Sequence, residues 1–355
     1  MTKLLSRRRF LASAMYVFVG IGILIATGLY QYFLALPYDT SYVHWGPPEP
    51  LTSLIQQLQE NGIPAVKPVN EFDHKFTFTN SHKCQVKDNE VIRLVYIVKS
   101  ALPNFYKRDM IRQSWGFEQR FSDVTIRTVF LVGSMPGEPH LQVRVNKENK
   151  QHKDIVQADF IDNYYNNTIK TMMGLNWAFN FCAKVKYLLF VDDDYYVSTR
   201  NILRFLRDPN NYPQYLETYV IDAVNEYQEN LYAGYVFQQS YPHRWVLSKW
   251  YISLTDYPYS HYPPYVTAGA FILSQRSLQS MYYASIYTNR FRFDDIFMGM
   301  CAKKANLHPF HHAEFHFSRP LYTVEGYKYT IASHGFGDPE EMHKIWEEQR
   351  SVGNA

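Results

Sequence analysis

Residues 187 to 191 form an unbroken apolar run, YLLFV, that leads directly into three aspartates, Asp192, Asp193 and Asp194. An apolar run of this length between polar boundaries reads as a buried strand. Three carboxylates at the end of such a strand are unfavourable unless positive charge compensates them. The fold therefore has to open a polar site at that strand's end and bring a cation to it.

Similar runs recur, and they alternate with helical spacing. VIRLVYIV (91–98), TIRTVFLVG (125–133), KDIVQADF (153–160), LYAGYVF (231–237) and AGAFILS (268–274) read as strands. KRDMIRQSWG (107–116), NILRFLRD (201–208), SLQSMYYASIY (277–287) and PEEMHKIWEEQR (339–350) read as helices. In the stretch 166–182, Ile169, Met172, Met173 and Trp177 fall on one helical face. Strands alternating with helices predict an α/β domain with a mostly parallel sheet. Such sheets bind ligands beyond the carboxyl ends of their strands, where the three aspartates lie.

Strand alternation predicts that Asp192 and Asp194 converge while Asp193 points away. Two oxygen ligands beside a phosphate suit Mg²⁺ or Mn²⁺, hard cations that keep open positions. A helix cap or a solvated loop would also explain three acids at a turn. A second acidic pair, Asp294 and Asp295, precedes an apolar helix in FRFDDIFMGMC. An N-cap explains one of the two well and the other less well. The competing reading is a carboxylate that deprotonates a hydroxyl nucleophile. Arg108 and Arg112 are spaced i, i+4 and share a helix face, as a solvated basic surface or as a diphosphate clamp. His334, isolated in IASHGFGDPEE, is a turn residue or a further metal ligand.

Lys3, Arg7, Arg8 and Arg9 precede an uncharged stretch, 10–36, long enough to cross a bilayer as a helix, with Tyr30, Tyr32 and Tyr38 at its far end. A cleaved signal has a shorter apolar region ending in small residues. The positive-inside rule then predicts residues 1–9 as a cytosolic tail and a type II membrane topology. Residues 37–88, with GPPEPL, read as a luminal stem, and 89–355 as the luminal working domain. Lys+Arg 36 against Asp+Glu 33 leaves only +3, which gives no electrostatic footprint for nucleic acid. Cys84, Cys182 and Cys301 permit one bridge with one thiol left over. Asn166 heads the glycosylation sequon Asn-Asn-Thr.

In order along the chain, RDMIRQSWG, FLVG, DFIDNYYNNTIKT, KYLLFVDDDYYV, YPPYVTAGAFILS, DDIFMGMC and SHGFGDPEEM resemble the inverting β1,3-glycosyltransferases, over about residues 94–350. DDDYYVSTRNILRFL, SKWYISL and FRFDDIF look closest to the brainiac-type members, which act as β1,3-N-acetylglucosaminyltransferases although often named galactosyltransferases. The resemblance implies a GT-A fold, a Rossmann-like αβα sandwich. It also implies Mn²⁺, a UDP-sugar donor, a glycolipid or glycoprotein glycan acceptor, and residence in the Golgi membrane. UDP-GlcNAc is the donor it favours, with UDP-Gal as the alternative.

Carried over by position, Asp194, Asp192 and His334 fall at the metal, and Asp295 at the general base. The acidic pair is Asp-Asp here where many relatives have Glu-Asp. Arg108, Arg112, Asp162, Lys170 and Asp193 fall on the donor side. Trp245, Lys249, Trp250, Tyr265, Gly269 and Asp294 fall on the acceptor and sugar side. Cys182 and Cys301 fall where relatives carry cysteines, which implies a bridge between them. The rival class is a non-catalytic type II membrane sugar-binding protein.

Overall fold

The computed structural model describes residues 2–38, 51–63, 66–87, 90–218 and 229–355. The chain divides into two compact units, 1–48 with 239–263, and 49–238 with 264–355.

The larger unit is built on an eight-stranded sheet. Its strands are β1 (Phe76–Phe78), β2 (Ile92–Lys99), β3 (Ile126–Ser134), β4 (Ile155–Ile161), β5 (Val185–Asp192), β7 (Tyr232–Phe237), β8 (Tyr265–Ser274) and β9 (Phe310–His311), in the order β1-β4-β3-β2-β5-β8-β7-β9. The four central strands β4, β3, β2 and β5 run parallel, and β8 joins β5 antiparallel. Residues Val95 to Val98 and Leu188 to Val191 are wholly buried. That accounts for runs without polar alternation, because helices cover both faces of a parallel sheet. The helices are α3 (Leu51–Gln59), α4 (Phe105–Gln113), α5 (Pro139–His152), α6 (Asn167–Phe181), α7 (Thr199–Phe205), α8 (Gln275–Ile286), α9 (Asp294–Lys304) and α10 (Pro339–Ser351). In α6, Gly174 lets the helix lie close on the sheet, since a methyl there would strike Leu131 and Phe190. The expected α/β sandwich is therefore the observed one.

A second sheet of three short strands, β10 (Phe315–His316), β11 (Ala332–His334) and β6 (Tyr195–Val197), has the order β10-β11-β6. The sequence reading did not include it. Two- and three-residue strands carry too few positions for a period to show.

Three expectations need correction. The bridge joins Cys84 to Cys182, with 4.9 Å between their Cα atoms, and Cys301 is a buried free thiol within α9. Cys84 closes a short 3₁₀ turn (Ser81–Cys84) and Cys182 caps α6, so the two meet at element ends. The stem does not reach residue 88. Within that stretch α3 buries Leu51, Leu54 and Ile55, and β1 pairs with β4, so these residues belong to the folded unit. Residues 46–50 of GPPEPL lie outside the described residues, and its Leu51 opens α3. The apolar helix is also shorter than 10–36: α1 (Thr2–Thr27) ends before Gly28, and α2 (Gln31–Leu34) follows. Gly28 has φ +78, a left-handed conformation that ends the helix and that other residues reach only with strain.

In the smaller unit, the window Phe10–Thr27 is long and apolar enough to cross a membrane and has none of its residues buried. At about 1.5 Å per residue it measures roughly 27 Å, close to a bilayer's hydrocarbon thickness.

Candidate active site

The carboxyl ends of β2 and β5 carry Lys99 and Asp192, which stand opposite one another in register. Lys99 is the cation that meets the first of the three aspartates. Its ammonium lies 3.0 Å from Asp192 Oδ1 and 3.0 Å from Asp294 Oδ2, and the residue is buried. One lysine therefore ties the end of β5 to the start of α9, and Thr171 of α6 donates to the same Asp294 oxygen at 2.9 Å. Burial works against the charge on Lys99, but the Asp192 and Asp294 carboxylates outweigh it and raise its pKa. Burial, with the Asp194 and Asp294 carboxylates adding to it against Lys99, leaves Asp192 pushed up to about 6.

β5 stops at Asp192, and Asp193 and Asp194 form a turn into β6 instead of continuing the strand. The expected arrangement still results: the Asp194 charge acts on Asp192, and both act on His334, while Asp193 turns away. Asp193 accepts from Ser100 Oγ (2.7 Å), Asn104 Nδ2 (2.9 Å) and Lys107 Nζ (3.2 Å), which fastens the turn to the loop before α4. Those partners occupy it structurally and correct its donor-side assignment. Asp194 faces the other way. Its Oδ2 lies 3.3 Å from His334 Nε2, and its Oδ1 is buried without a partner.

His334 reaches Asp194 because β11 pairs antiparallel with β6, with His334 opposite Tyr195, and because the Phe336 N–H donates to the Asp194 carbonyl. The Asp194 hydrogen bond and charge raise the histidine's pKa against partial burial. In return, His334 holds Asp194 below its ordinary value although burial opposes this. Tyr195 lies beside the pair, its ring 5.1 Å from the imidazole. Gly269 in β8 makes room for it, since a methyl there would collide with the Tyr195 phenol.

Asp294 and Asp295 form the first turn of α9, with Phe293 at the N-cap and no side-chain cap bond. The cap reading therefore explains neither aspartate. Asp294 is held by Lys99 and Thr171. Asp295 is partly buried, and its Oδ1 accepts from the Ile296 N–H at 2.8 Å. Burial and the adjacent Asp294 carboxylate raise Asp295 well above the ordinary carboxylate range. A carboxylate so tuned is suited to take a proton from a hydroxyl near neutral pH.

The arginine pair is not a diphosphate clamp. Arg108 is fully buried, and its five N–H donors find Glu148 twice, Ser100 Oγ and the carbonyls of Ala101 and Leu102. Arg112 binds Asp154 through two bonds and shares Glu148. Asp162 and Lys170 form a buried pair at 2.7 Å, with Lys170 also on the Ser100 carbonyl and Asp162 accepting the Gly133 N–H. These two lie at the ends of β2 to β4, the ligand-binding edge of such a sheet. Tyr265 opens β8 and is buried. Trp245, Lys249 and Trp250 belong to the smaller unit. Asn166 is partly exposed, its amide donating to the Ile161 carbonyl at 2.8 Å, and Thr168 of the sequon is buried on the Phe291 carbonyl.

For a divalent cation, the uncommitted Asp194 Oδ1 and the adjacent His334 are a fitting pair of ligand side chains. Among the described residues no three His, Cys, Asp or Glu side chains are grouped to hold a metal. The protein would thus supply few ligands, as is usual where phosphate oxygens complete the shell. Lys99, Thr171 and Tyr195 contact the candidate site residues and carry no role in the sequence expectations. Lys99 had a signal: it ends one apolar run as the aspartates end another.

The galactosyltransferase family model matches residues 106–313. The Drosophila melanogaster protein named beta-1,3-galactosyltransferase brn is 45% identical, over 78% of this chain and 80% of its own. Beta-1,3-galactosyltransferase 1 of Mus musculus is 32% identical, over 80% and 81%. Among solved structures, the apo form of the bifunctional glycosyltransferase WbbM aligns with a TM-score of 0.39 at 11% identity, over 76% of this chain and 51% of that one. With strand-end aspartates, a raised carboxylate at α9 and this degree of identity to brn, the chain belongs to the galactosyltransferase family as a brainiac-like β1,3-glycosyltransferase.

Proposed function

We propose that the protein is an inverting, UDP-sugar-dependent β1,3-hexosyltransferase that moves GlcNAc from UDP-GlcNAc to a mannosyl or galactosyl glycolipid. The observation that carries the reaction type is Asp295, a carboxylate of raised pKa at a helix start that lacks a cap bond. Asp295 takes the proton of the acceptor 3-hydroxyl. The hydroxyl oxygen bonds to the anomeric carbon as the bond to the diphosphate oxygen breaks on the opposite face. UDP leaves with that electron pair, and an α-linked donor gives a β-linked product.

Asp194 and His334 would hold Mn²⁺, which when bound draws charge from the departing diphosphate. Lys99 keeps Asp192 and Asp294 in fixed positions around that centre, so the base keeps its orientation relative to the sugar. Asp162 and Lys170 line the donor side, and Tyr265, Gly269 and Asp294 the sugar side. The apolar helix anchors the protein in the Golgi membrane with residues 1–9 cytosolic, and Asn166 carries an N-glycan.

UDP-Gal is the second reading, favoured by the relatives' names. A donor and acceptor panel with the purified full chain and Mn²⁺, followed by linkage analysis, tests both. A β1,3-GlcNAc product is expected. Transfer from UDP-Gal alone would replace the donor, and UDP release without any glycosidic product would remove the transferase reading.

A further inference from the structure

The segment 239–263 separates β7 from β8 in the chain, yet it forms one compact unit with the apolar N-terminal helix. Backbone and side-chain bonds fasten it there. The Val246 N–H donates to the carbonyl of Thr27, the last residue of the apolar window, at 3.0 Å. The Arg244 N–H donates to the Tyr32 hydroxyl at 3.2 Å, and the Gln31 side chain bonds Tyr251 and Leu254 at 2.9 and 3.1 Å. Leu36 exchanges bonds with Pro258 and Ser260, each at 2.8 Å. Gly28 permits the approach, because any side chain there would meet the Arg244 carbonyl.

The segment is organised around a buried charge. The buried Arg244 guanidinium donates to the carbonyls of Ile252 (2.9 Å), Tyr257 (2.7 Å) and Tyr259 (3.0 Å), which fixes the loop's shape. Its exterior is the reverse. Leu247 is 79% exposed, and Trp245 and Trp250 are 48% and 46% exposed. Lys249 holds its ammonium 4.4 Å over the Trp250 ring. Asp256 is the segment's one acid against Arg244 and Lys249, which leaves the segment net positive.

We propose that Trp245, Leu247 and Trp250 insert into the interfacial layer of the same bilayer that α1 crosses, with Lys249 toward lipid phosphates. The inference rests on the membrane-spanning reading of α1. The hydrogen bond to Thr27 places Val246, and with it Trp245 and Leu247, at the level where an 18-residue span leaves the hydrocarbon. Tryptophan with an adjacent cation is the composition that this layer favours. The contact gives the chain a second hold on the membrane, made by an insertion of the transferase sequence itself, and sets the depth of the helix end.

The test uses the full chain in phosphatidylcholine nanodiscs with an environment-sensitive fluorophore on Leu247→Cys, Val19→Cys or Leu321→Cys. Spin-labelled lipids serve as shallow or deep quenchers. At 247 a blue-shifted emission quenched best by the shallow label is expected, at 19 quenching best by the deep label, and at 321 neither. Quenching at 19 with 247 as water-exposed as 321 overturns the interfacial contact and leaves the span standing. Quenching at neither 19 nor 247 overturns both. Equal quenching at 247 and 321 also overturns it, because the contact is then not specific to this segment. An emission at 247 that shifts only when soluble glycan is added assigns these rings to sugar instead.

Discussion

Arg108 and Arg112 meet Glu148 and Asp154 in one charged cluster, and Lys99 meets Asp192 and Asp294 in another, both within the larger unit. In the first cluster charges balance locally and Arg108 has no donor to spare. Glu148 ends below its ordinary pKa because the two arginines outweigh its burial. In the second, one lysine serves two carboxylates while Asp194 keeps a bare buried oxygen and Asp295 is raised. Most buried polar groups in folded proteins are satisfied, and a buried carboxylate oxygen without a partner is the costliest kind to leave so. The second cluster, with its bare carboxylate oxygen and raised carboxylate, is the one the proposed chemistry uses, whereas the first holds α4 to α5 and the start of β4.

Replacing the base breaks this distinction most severely if it is wrong. Asp295→Asn should cut the transfer rate by about 10²–10⁴-fold while the thermal midpoint stays near that of the parent. A near-parental rate with an intact fold would reduce Asp295 to a helix-start residue. Glu148→Gln probes the other cluster. It leaves Arg108 and Arg112 short of a buried counter-charge, which costs about 3–5 kcal/mol of stability in denaturant unfolding. Turnover per folded molecule should hold. If turnover collapsed while stability held, the arginines would belong to the chemistry after all. Asp194→Asn should raise the Mn²⁺ concentration for half-maximal transfer by about 10–100-fold. An unchanged metal response would leave the bare Asp194 oxygen without a cation.

The long strands and helices of the α/β unit were legible because their runs are long and their burial two-sided, as in Val95 to Val98 and Leu188 to Val191. The strand-end acids were legible as needing a cation, but the residues alone fitted a helix cap at Asp294 and Asp295 as well as a base, and only the family resemblance assigned the base. What failed was geometry at element ends. Asp193 and Asp194 sit in a turn, so the expected approach of Asp194 to Asp192 comes from the turn and not from a strand's period. Arg108 and Arg112 do share a face, but that face meets Glu148, forty residues away, rather than a ligand. His334 was visible as a lone histidine, yet only the pairing of β11 with β6 brings it to Asp194. The Cys84–Cys182 bridge, across a separation of 98, is likewise a fact of tertiary placement that spacing does not encode.

The smallest predicted effect is also the one that separates the two clusters most finely. The acid limb of kcat/KM reports the free enzyme's essential base, which must be deprotonated to accept the hydroxyl proton. Asp295 is raised, so activity should fall with decreasing pH well above the ordinary carboxylate value of about 3.9. Its two charged neighbours act with opposite signs. The Asp294 carboxylate raises Asp295, so Asp294→Asn should move the limb to lower pH, and the amide oxygen can still accept from Thr171 and Lys99. The Lys99 ammonium lowers Asp295, so Lys99→Met should move the limb to higher pH. Asp192, itself pushed up to about 6, responds to both neighbours in the same directions and is the rival owner of the limb. Asp192→Asn decides between them: the limb persists if it belongs to Asp295 and disappears if it belongs to Asp192. Glu148→Gln, in the satisfied cluster, should leave the limb where it is, because neither Arg108 nor Arg112 is among the groups that shift Asp295.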